Sequence, residues 1–181
     1  MEFVGQMRNA ISSSKHKMNY DSDLQRLLYF YPILSRKSYG FDEAINYKKQ
    51  NVSELLPKNE IHAYFDNVGG EVSESVVENM AENGHVILCG QISQYNKDVP
   101  YPPPISDKMA ETLAEKCIQR DRFLVLNYAK EFPSCLTELG QWIQEGKLKT
   151  RETITQGIEN TGKAFIGMMN GANIGKQIVQ I

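Results

Sequence analysis

The sequence lacks several features that would assign it to a functional class directly. Its 20 basic and 22 acidic residues leave a net charge of −2, so no positive excess favours nucleic acid or an anionic membrane. The chain has no run of about 18 apolar residues, and we therefore expect no membrane-spanning helix. The N-terminal stretch MEFVGQMRNAISSSKHK has no apolar block of the secretory type, and we expect a cytoplasmic protein.

Residues that form disulfides or bind metals are also scarce. The chain has three cysteines and three histidines, namely Cys89, Cys117, Cys135, His16, His62 and His85. The cysteines are odd in number and widely spaced, so we expect three reduced, partly buried thiols. The histidines show no zinc spacing, and His62 and His85 each stand at the start of a predicted strand, where a solvent-edge position is expected. We predict no bound metal.

A third absence concerns the turn that binds phosphate in dinucleotide-binding folds. That turn is rich in glycine and joins the first strand to the first helix. No GxGxxG pattern or variant of it occurs before residue 69. The glycines in that part of the sequence, Gly5 and Gly40, are isolated. The pattern alone therefore predicts an α/β domain without its pyrophosphate-binding turn.

Short apolar runs alternate with helical patterns from residue 41 to the end of the chain. The runs AIN, YFD, HVILC, RFLVLNY, TRETIT and KQIVQI are predicted strands, and 51–56, 71–81, 106–116, 132–145 and 159–169 are predicted helices. In the fourth of these helices we expect Leu136, Leu139 and either Trp142 or Ile143 to be buried. This alternation predicts a parallel sheet with right-handed crossovers.

Two predicted strands end in polar turns that could form one crevice. The first strand runs into Asn67 and Gly69-Gly70, and the second runs into the segment from Cys89 to Tyr95. In open parallel sheets, ligands bind at the carboxyl ends of the strands. These turns are therefore the predicted binding edge.

Five motifs together resemble one known family. YFDNVGG, ILCGQISQYN, YPPP, RFLVLNY and NIGKQIV are similar to segments of the prostaglandin reductases, in the zinc-independent branch of the medium-chain dehydrogenase/reductase superfamily. The resemblance runs from about Gly40 to Ile181. It implies an α/β fold with an incomplete Rossmann-like parallel sheet and flanking helices. It also implies NADPH-dependent reduction of the carbon–carbon double bond of 15-oxo-prostaglandins, which are small lipid enones.

The resemblance also implies roles for individual residues. Tyr95 corresponds to the hydrogen-bond donor to the substrate carbonyl, since a phenol stays protonated at neutral pH; a loop tyrosine packed on the prolines is the simpler alternative. Residues matching cofactor contacts are Tyr47, Asn67, Cys89, Gly90, Gln91, Ile92, Ser93, Gln94, Tyr95, Phe123, Leu124, Val125 and Asn173. Those matching the substrate pocket are Leu124, Val125 and Leu126. On pattern alone, 123–126 would be core, and Asn67 and Asn173 would be ordinary turn residues.

The chain also departs from the family pattern. We expect residues 1–39 to be a divergent segment and 40–181 to be a partial NADP-binding domain that lacks the first βα unit and the N-terminal catalytic domain. Tyr31 stands where the family has a lysine for the 2′-phosphate, with Arg36 and Lys37 nearby. We therefore expect a truncated form that binds little NADPH. The alternatives are a non-catalytic remnant that pairs with a full-length reductase or forms a homodimer, and a quinone or leukotriene-type reductase.

Overall fold

The computed structural model describes residues 45–47 and 49–181. The expectations for residues 1–39, including Tyr31, Arg36 and Lys37, lie outside the described residues. The chain divides into two compact units, one ending at Ala129 and the other spanning Lys130–Ile181. Each unit is built from parallel strands and helices.

The first unit contains a three-stranded parallel sheet. Its elements are α1 (Val52–Leu55), β1 (Ile61–Asp66), α2 (Gly70–Glu78), β2 (Met80–Leu88), α3 (Asp107–Glu115) and β3 (Gln119–Arg122). The strand order is β1-β2-β3. Asp66 pairs with Leu88, and Leu88 pairs with Arg122. The three strands therefore end together at one edge of the sheet.

The core of this unit lies between the sheet and the helices. Ile61, Tyr64 and Val86 from the strands pack with Val76 and Val77 of α2, and all five are almost fully buried. Burying an aliphatic side chain of this size contributes about 1.5–3 kcal/mol. The hydrophobic spacing in α2 thus fixes this helix on the sheet and places its first residue next to the end of β1.

Polar contacts define the ends of the helices in this unit. The Asn51 side chain accepts from the Ser53 amide, and the Ser106 side chain accepts from the Met109 amide, as expected of N-cap residues. The Lys116 Nζ donates to the carbonyl oxygens of Glu78 and Met80 at 2.8 and 2.9 Å. A positive charge at the C-terminal end of α2 is favourable because the carbonyl groups there carry partial negative charge.

The second unit contains α4 (Phe132–Gln144), β4 (Glu152–Gln156), α5 (Thr161–Met169) and β5 (Lys176–Gln180). Strands β4 and β5 form a parallel pair in which Ile154 is opposite Ile178. The predicted parallel α/β fold class is therefore confirmed. In the part of the chain that is described, no helix has the length and apolar character needed to cross a membrane.

Three expectations about local structure are wrong. The apolar run 122–128 is not a buried strand: β3 ends at Arg122 and a 3-10 segment, Val125–Glu131, begins shortly after it. Ile45 and Asn46, the described residues of the run AIN, lead into a turn at Tyr47 and not into a strand, because the amides of residues 49 and 50 bond back to the Asn46 carbonyl. Strand β2 starts five residues before His85, so this histidine is buried at mid-strand, 2.8 Å from Asp121, and not at a solvent edge.

The expected burial in α4 is also not observed. The helix has the predicted position, but its side chains Leu136, Leu139 and Ile143 are exposed and Trp142 is only partly buried. Helical periodicity specifies which residues share a face, and it does not specify what that face packs against.

Candidate functional site

The carboxyl edge of the three-stranded sheet is organised by Asp66. Its fully buried carboxylate accepts hydrogen bonds from the hydroxyl groups of Tyr64 and Ser73 and from the backbone amides of Val68 and Gly69. Burial and the nearby carboxylate raise the pKa of Tyr64 far above its usual range, so its phenol stays protonated and donates. Asp66 therefore holds the turn that follows β1 in one conformation.

Glycine is required in this turn because the two strand-end segments touch there. Gly69 has a φ of +70°, and a Cβ added to it would lie 2.8 Å from the Cβ of Gln91. A side chain at this position would be strained by its backbone angle and would also push the Gln91 segment away. The glycine thus allows close packing between the turn after β1 and the loop after β2.

The loop after β2 is fastened to that turn by its backbone. The amides of Cys89 and Gly90 donate to the Asp66 carbonyl at 2.8 and 3.0 Å, and the Ile92 amide donates to the Asn67 carbonyl at 3.2 Å. The Ser93 hydroxyl donates to the Val68 carbonyl at 2.6 Å. The structure therefore brings together Asn67 and the segment from Cys89 to Tyr95, as the sequence predicts. Gln94 belongs to the same segment and donates to Ser93.

Tyr95 points its hydroxyl back towards the strand ends. Its Oη accepts a hydrogen bond from the Gln91 amide at 3.2 Å, and a Cβ added to Gly90 would lie 3.2 Å from the same oxygen. Because the oxygen acts here as an acceptor, its own proton remains free to be donated. The side chain is 48% exposed, so an acceptor on a ligand can reach it.

Asn67 offers a second polar group at this edge. It follows the last residue of β1 and is half-buried. Its side-chain amide forms no hydrogen bond with the residues that the structure describes. An amide in this state can both donate to and accept from a ligand.

Aromatic and aliphatic side chains follow β3 at the same edge. The Phe123 amide donates to the Leu88 carbonyl at 2.8 Å, which continues the sheet by one residue. Its ring packs edge-on against Phe65 and stacks on Tyr128, with centroid distances of 5.8 and 5.4 Å. The pattern alone predicts that the next three residues are core. The structure shows them exposed, with Leu126 at 65%; they are Leu124, Val125 and Leu126.

The two remaining predicted cofactor contacts lie elsewhere. Tyr47 is exposed in a turn of the first unit. Asn173 belongs to the second unit, where its side chain donates to the Gly175 carbonyl at 2.7 Å. It lines a cavity of about 480 Å³ together with Thr153, Gln156, Lys163 and Gln177.

Sequence reasoning assigned no role to Asp66, Tyr101 or Arg122. The Arg122 Nη2 donates to the Tyr101 hydroxyl at 2.8 Å, and the Tyr101 ring packs edge-on against Tyr95. An aspartate at the end of a strand and directly before a turn was a signal for the role of Asp66, because such residues often bond to the amides that follow. No local pattern connects Arg122 with Tyr101.

The described cysteines are all free, but Cys89 and Cys117 are more exposed than the sequence predicts. Within the described residues, no three side chains of histidine, cysteine, aspartate or glutamate come together in an arrangement that could hold a metal ion.

The Cys89 thiol is expected to react more slowly at neutral pH than its exposure implies. Partial burial and the Asp66 carboxylate raise its pKa, so less thiolate is present. We expect the midpoint of its iodoacetamide pH–rate profile, followed by peptide mass spectrometry, to lie higher in the folded chain than in the urea-unfolded chain. Steric shielding would lower the rate without moving this midpoint, and an unmoved or lowered midpoint would contradict the expectation.

Comparisons with known proteins identify the family of this chain. A model of the family described as zinc-binding dehydrogenase matches residues 39–179. Prostaglandin reductase 1 of Sus scrofa is 42% identical over 149 residues, covering 80% of this chain and 44% of that protein. CurA from Vibrio vulnificus is similar in structure, with a TM-score of 0.66 and 37% identity over 78% of this chain and 43% of CurA. A second CurA structure, in complex with NADPH, has a TM-score of 0.62 and 33% identity, with the same coverage. The chain thus spans less than half the length of these relatives.

Proposed function

Because this chain belongs to the zinc-binding dehydrogenase family, within the medium-chain dehydrogenase/reductase superfamily, we propose that it takes part in the NADPH-dependent reduction of the carbon–carbon double bond of lipid enones. One observation carries the proposal: the Tyr95 hydroxyl and the Asn67 backbone both lie beside Gly90 at the carboxyl edge of a parallel sheet. This is the edge at which such sheets bind ligands.

The groups at this edge fit the nicotinamide half of NADPH. The ribose hydroxyl groups and the carboxamide are neutral and polar, and Asn67, Ser93, Tyr95 and the backbone of 89–91 are neutral donors and acceptors. The ring of Phe123 and the exposed side chains Leu124 and Val125 provide an apolar surface beside them. We assign these residues, with Ile92 and Gln94 of the same loop, to cofactor binding. We assign Tyr47 to the adenosine phosphate and Asn173 to a further cofactor contact, as the family resemblance implies.

In the proposed reaction, Tyr95 stabilises the charge that develops on the substrate. Bound NADPH supplies the hydride that is added to the β-carbon of the enone. Negative charge then grows on the carbonyl oxygen, and the Tyr95 O–H donates to it. A proton from solvent adds to the α-carbon and completes the reduction of the double bond. The Gln91 amide holds the phenol oxygen in place, so the donor is oriented before the substrate arrives. Such preorganised donors typically contribute about 10²–10³-fold in rate.

We propose 15-oxo-prostaglandins as the substrates, converted to their 13,14-dihydro forms in the cytoplasm. The relative at 42% identity is named prostaglandin reductase 1. The run CGQISQYN followed by YPPP resembles prostaglandin reductase 2 in particular. The exposed side chains of Leu124, Val125 and Leu126 would contact the apolar chain of such a lipid.

The substrate class is tested by following NADPH oxidation by the purified 181-residue chain, with NADPH in large excess because the chain is expected to bind little of it. A 15-oxo-prostaglandin should be reduced, whereas its 13,14-dihydro product, which has the ketone but no conjugated double bond, should not be. A simple quinone serves as the competing substrate. If the quinone were reduced and the prostaglandin were not, the quinone-reductase alternative would replace this one.

A second function is supported by exposed apolar side chains in the second unit. Leu136, Leu139 and Ile143 on α4, and Phe165 and Ile166 on α5, are all exposed. Exposed apolar surface often marks an interface between proteins. On this alternative the chain pairs with a full-length reductase, or with itself, without catalysing the reaction.

Sedimentation separates the pairing alternative from the enzyme. We would compare the wild-type chain with a Leu136→Glu, Ile143→Glu variant, alone and mixed with a full-length reductase. Comigration that the variant abolishes would favour pairing. A soluble monomer that does not bind the reductase would count against it.

A further inference from the structure

The long loop after Tyr95 is tied to the sheet by an arginine at the end of β3. The Arg122 Nη2 donates to the Tyr101 hydroxyl at 2.8 Å, and the guanidinium carbon lies 5.2 Å from the centre of the Tyr101 ring. Arg122 is the last residue of β3, which is paired with β2 at this point. The tyrosine of the YPPP segment is therefore attached to a rigid element, although it is 62% exposed.

The anchored Tyr101 ring in turn packs against the ring of Tyr95. Their centroids are 6.5 Å apart and their planes make an angle of 60°, an edge-to-face arrangement that aromatic pairs prefer. Tyr95 is thus held at two points. Its oxygen is held by the Gln91 amide, and its ring is held by Tyr101.

We propose that Arg122 and Tyr101 are positioning residues, which hold the Tyr95 ring so that its hydroxyl meets the carbonyl oxygen of the enone. This inference rests on the function proposed above. Tyr95 is itself half-exposed, and an exposed side chain with a single hydrogen bond can rotate between rotamers. The second restraint limits that rotation. A displacement of about 1 Å can lower a rate by up to about 10²-fold, so a restraint on the ring has a measurable effect.

The simpler alternative is that the Arg122–Tyr101 contact is a surface contact with no effect on catalysis. Exposed cation–π contacts contribute about 0.5–1 kcal/mol, and the two side chains could pair without influencing Tyr95. A further alternative is that the guanidinium binds a substrate carboxylate directly. These three roles differ in whether the effect of Arg122 depends on Tyr95, and in whether kcat or KM changes.

A double-mutant cycle with Tyr95→Phe distinguishes these roles. We expect Arg122→Ala to lower kcat about tenfold with KM within about twofold. In the Tyr95→Phe background the same change should alter kcat less than twofold. Arg122→Lys should retain part of the rate because it keeps a donor, and Lys97→Ala, which removes an exposed charge from the same loop, should have no effect.

Three kinetic outcomes would overturn the proposal. Unchanged kcat and KM in Arg122→Ala would mean that the contact with Tyr101 has no influence on Tyr95. An equal loss of kcat in both backgrounds would mean that Arg122 acts independently of Tyr95. A rise in KM with kcat unchanged would point to direct binding of a substrate carboxylate.

A spectroscopic experiment tests whether Arg122 and Tyr101 position the Tyr95 ring, without a measurement of catalysis. The chain is labelled with 3-fluorotyrosine, and the Tyr95 resonance is assigned from its loss in Tyr95→Phe. We expect Arg122→Ala and Tyr101→Leu to shift and broaden this resonance, and Lys97→Ala to leave it unchanged. An unmoved Tyr95 resonance in both variants would refute the positioning role. If the wild-type chain reduced no enone while the resonance moved as expected, the proposed function would fail and the positioning would stand.

Discussion

Replacing Tyr95 with phenylalanine is expected to lower kcat for enone reduction by about 10²–10³-fold and to leave KM within about threefold. The substitution keeps the ring, and with it the edge-on contact to Tyr101, and removes only the hydroxyl. That hydroxyl is needed mainly when charge develops on the carbonyl oxygen, so its loss should appear in kcat. The measurement is steady-state kinetics with a 15-oxo-prostaglandin, with formation of the 13,14-dihydro product as the readout.

Two controls accompany this variant. Tyr128→Phe removes only the hydroxyl group from a ring that stacks on Phe123. We expect its kcat to stay within twofold of the wild type. The Gln91 amide loses its acceptor in Tyr95→Phe, which we expect to lower the free energy of unfolding by about 1 kcal/mol. Urea unfolding measures that loss separately. A Tyr95→Phe enzyme with normal kcat would show that another group stabilises the developing charge.

Replacing Asp66 with alanine is expected to destabilise the first unit by about 3 kcal/mol or more. The change removes the carboxylate to which the amides of Val68 and Gly69 and the hydroxyls of Tyr64 and Ser73 donate, at a position that is fully buried. Asp66→Asn should have a smaller effect because one side-chain oxygen can still accept. The measurement is urea unfolding at 25 °C, with the midpoint and the slope both recorded.

Asp98→Ala is the matched control for this prediction. Asp98 is an exposed aspartate in the loop after Tyr95, and its removal should change the free energy of unfolding by less than about 0.5 kcal/mol. If Asp66→Ala were as mild as Asp98→Ala, the buried carboxylate would not be what holds the turn after β1.

Much of the architecture could be predicted because local rules decide it. The alternation of short apolar runs with helical patterns predicts parallel strands and crossover helices, and caps such as Asn51 and Ser106 mark where helices begin. The meeting of Asn67 with the segment from Cys89 to Tyr95 also follows, because parallel neighbouring strands must end at the same edge.

The remaining features depend on packing that the sequence does not display. The run RFLVLNY looks like a buried strand, and periodicity alone does not show that β3 ends at Arg122 and leaves the next apolar side chains exposed. The contact between Tyr101 and Arg122 joins residues that are 21 positions apart, through a loop with no regular pattern. The inward position of His85 depends on where β2 begins, and strand boundaries are poorly determined by composition.

The central claim is that this chain positions an enone against the nicotinamide at the carboxyl edge of β1, β2 and β3. The most direct measurement is isotope transfer from NADPH carrying deuterium at both C4 positions to a 15-oxo-prostaglandin, with the product examined by mass spectrometry. We predict a 13,14-dihydro product with one deuterium at the β-carbon, formed by the wild-type chain and at a rate lowered at least about 10²-fold in Tyr95→Phe. A product without deuterium, or no product at all from a folded wild-type chain, would contradict this account.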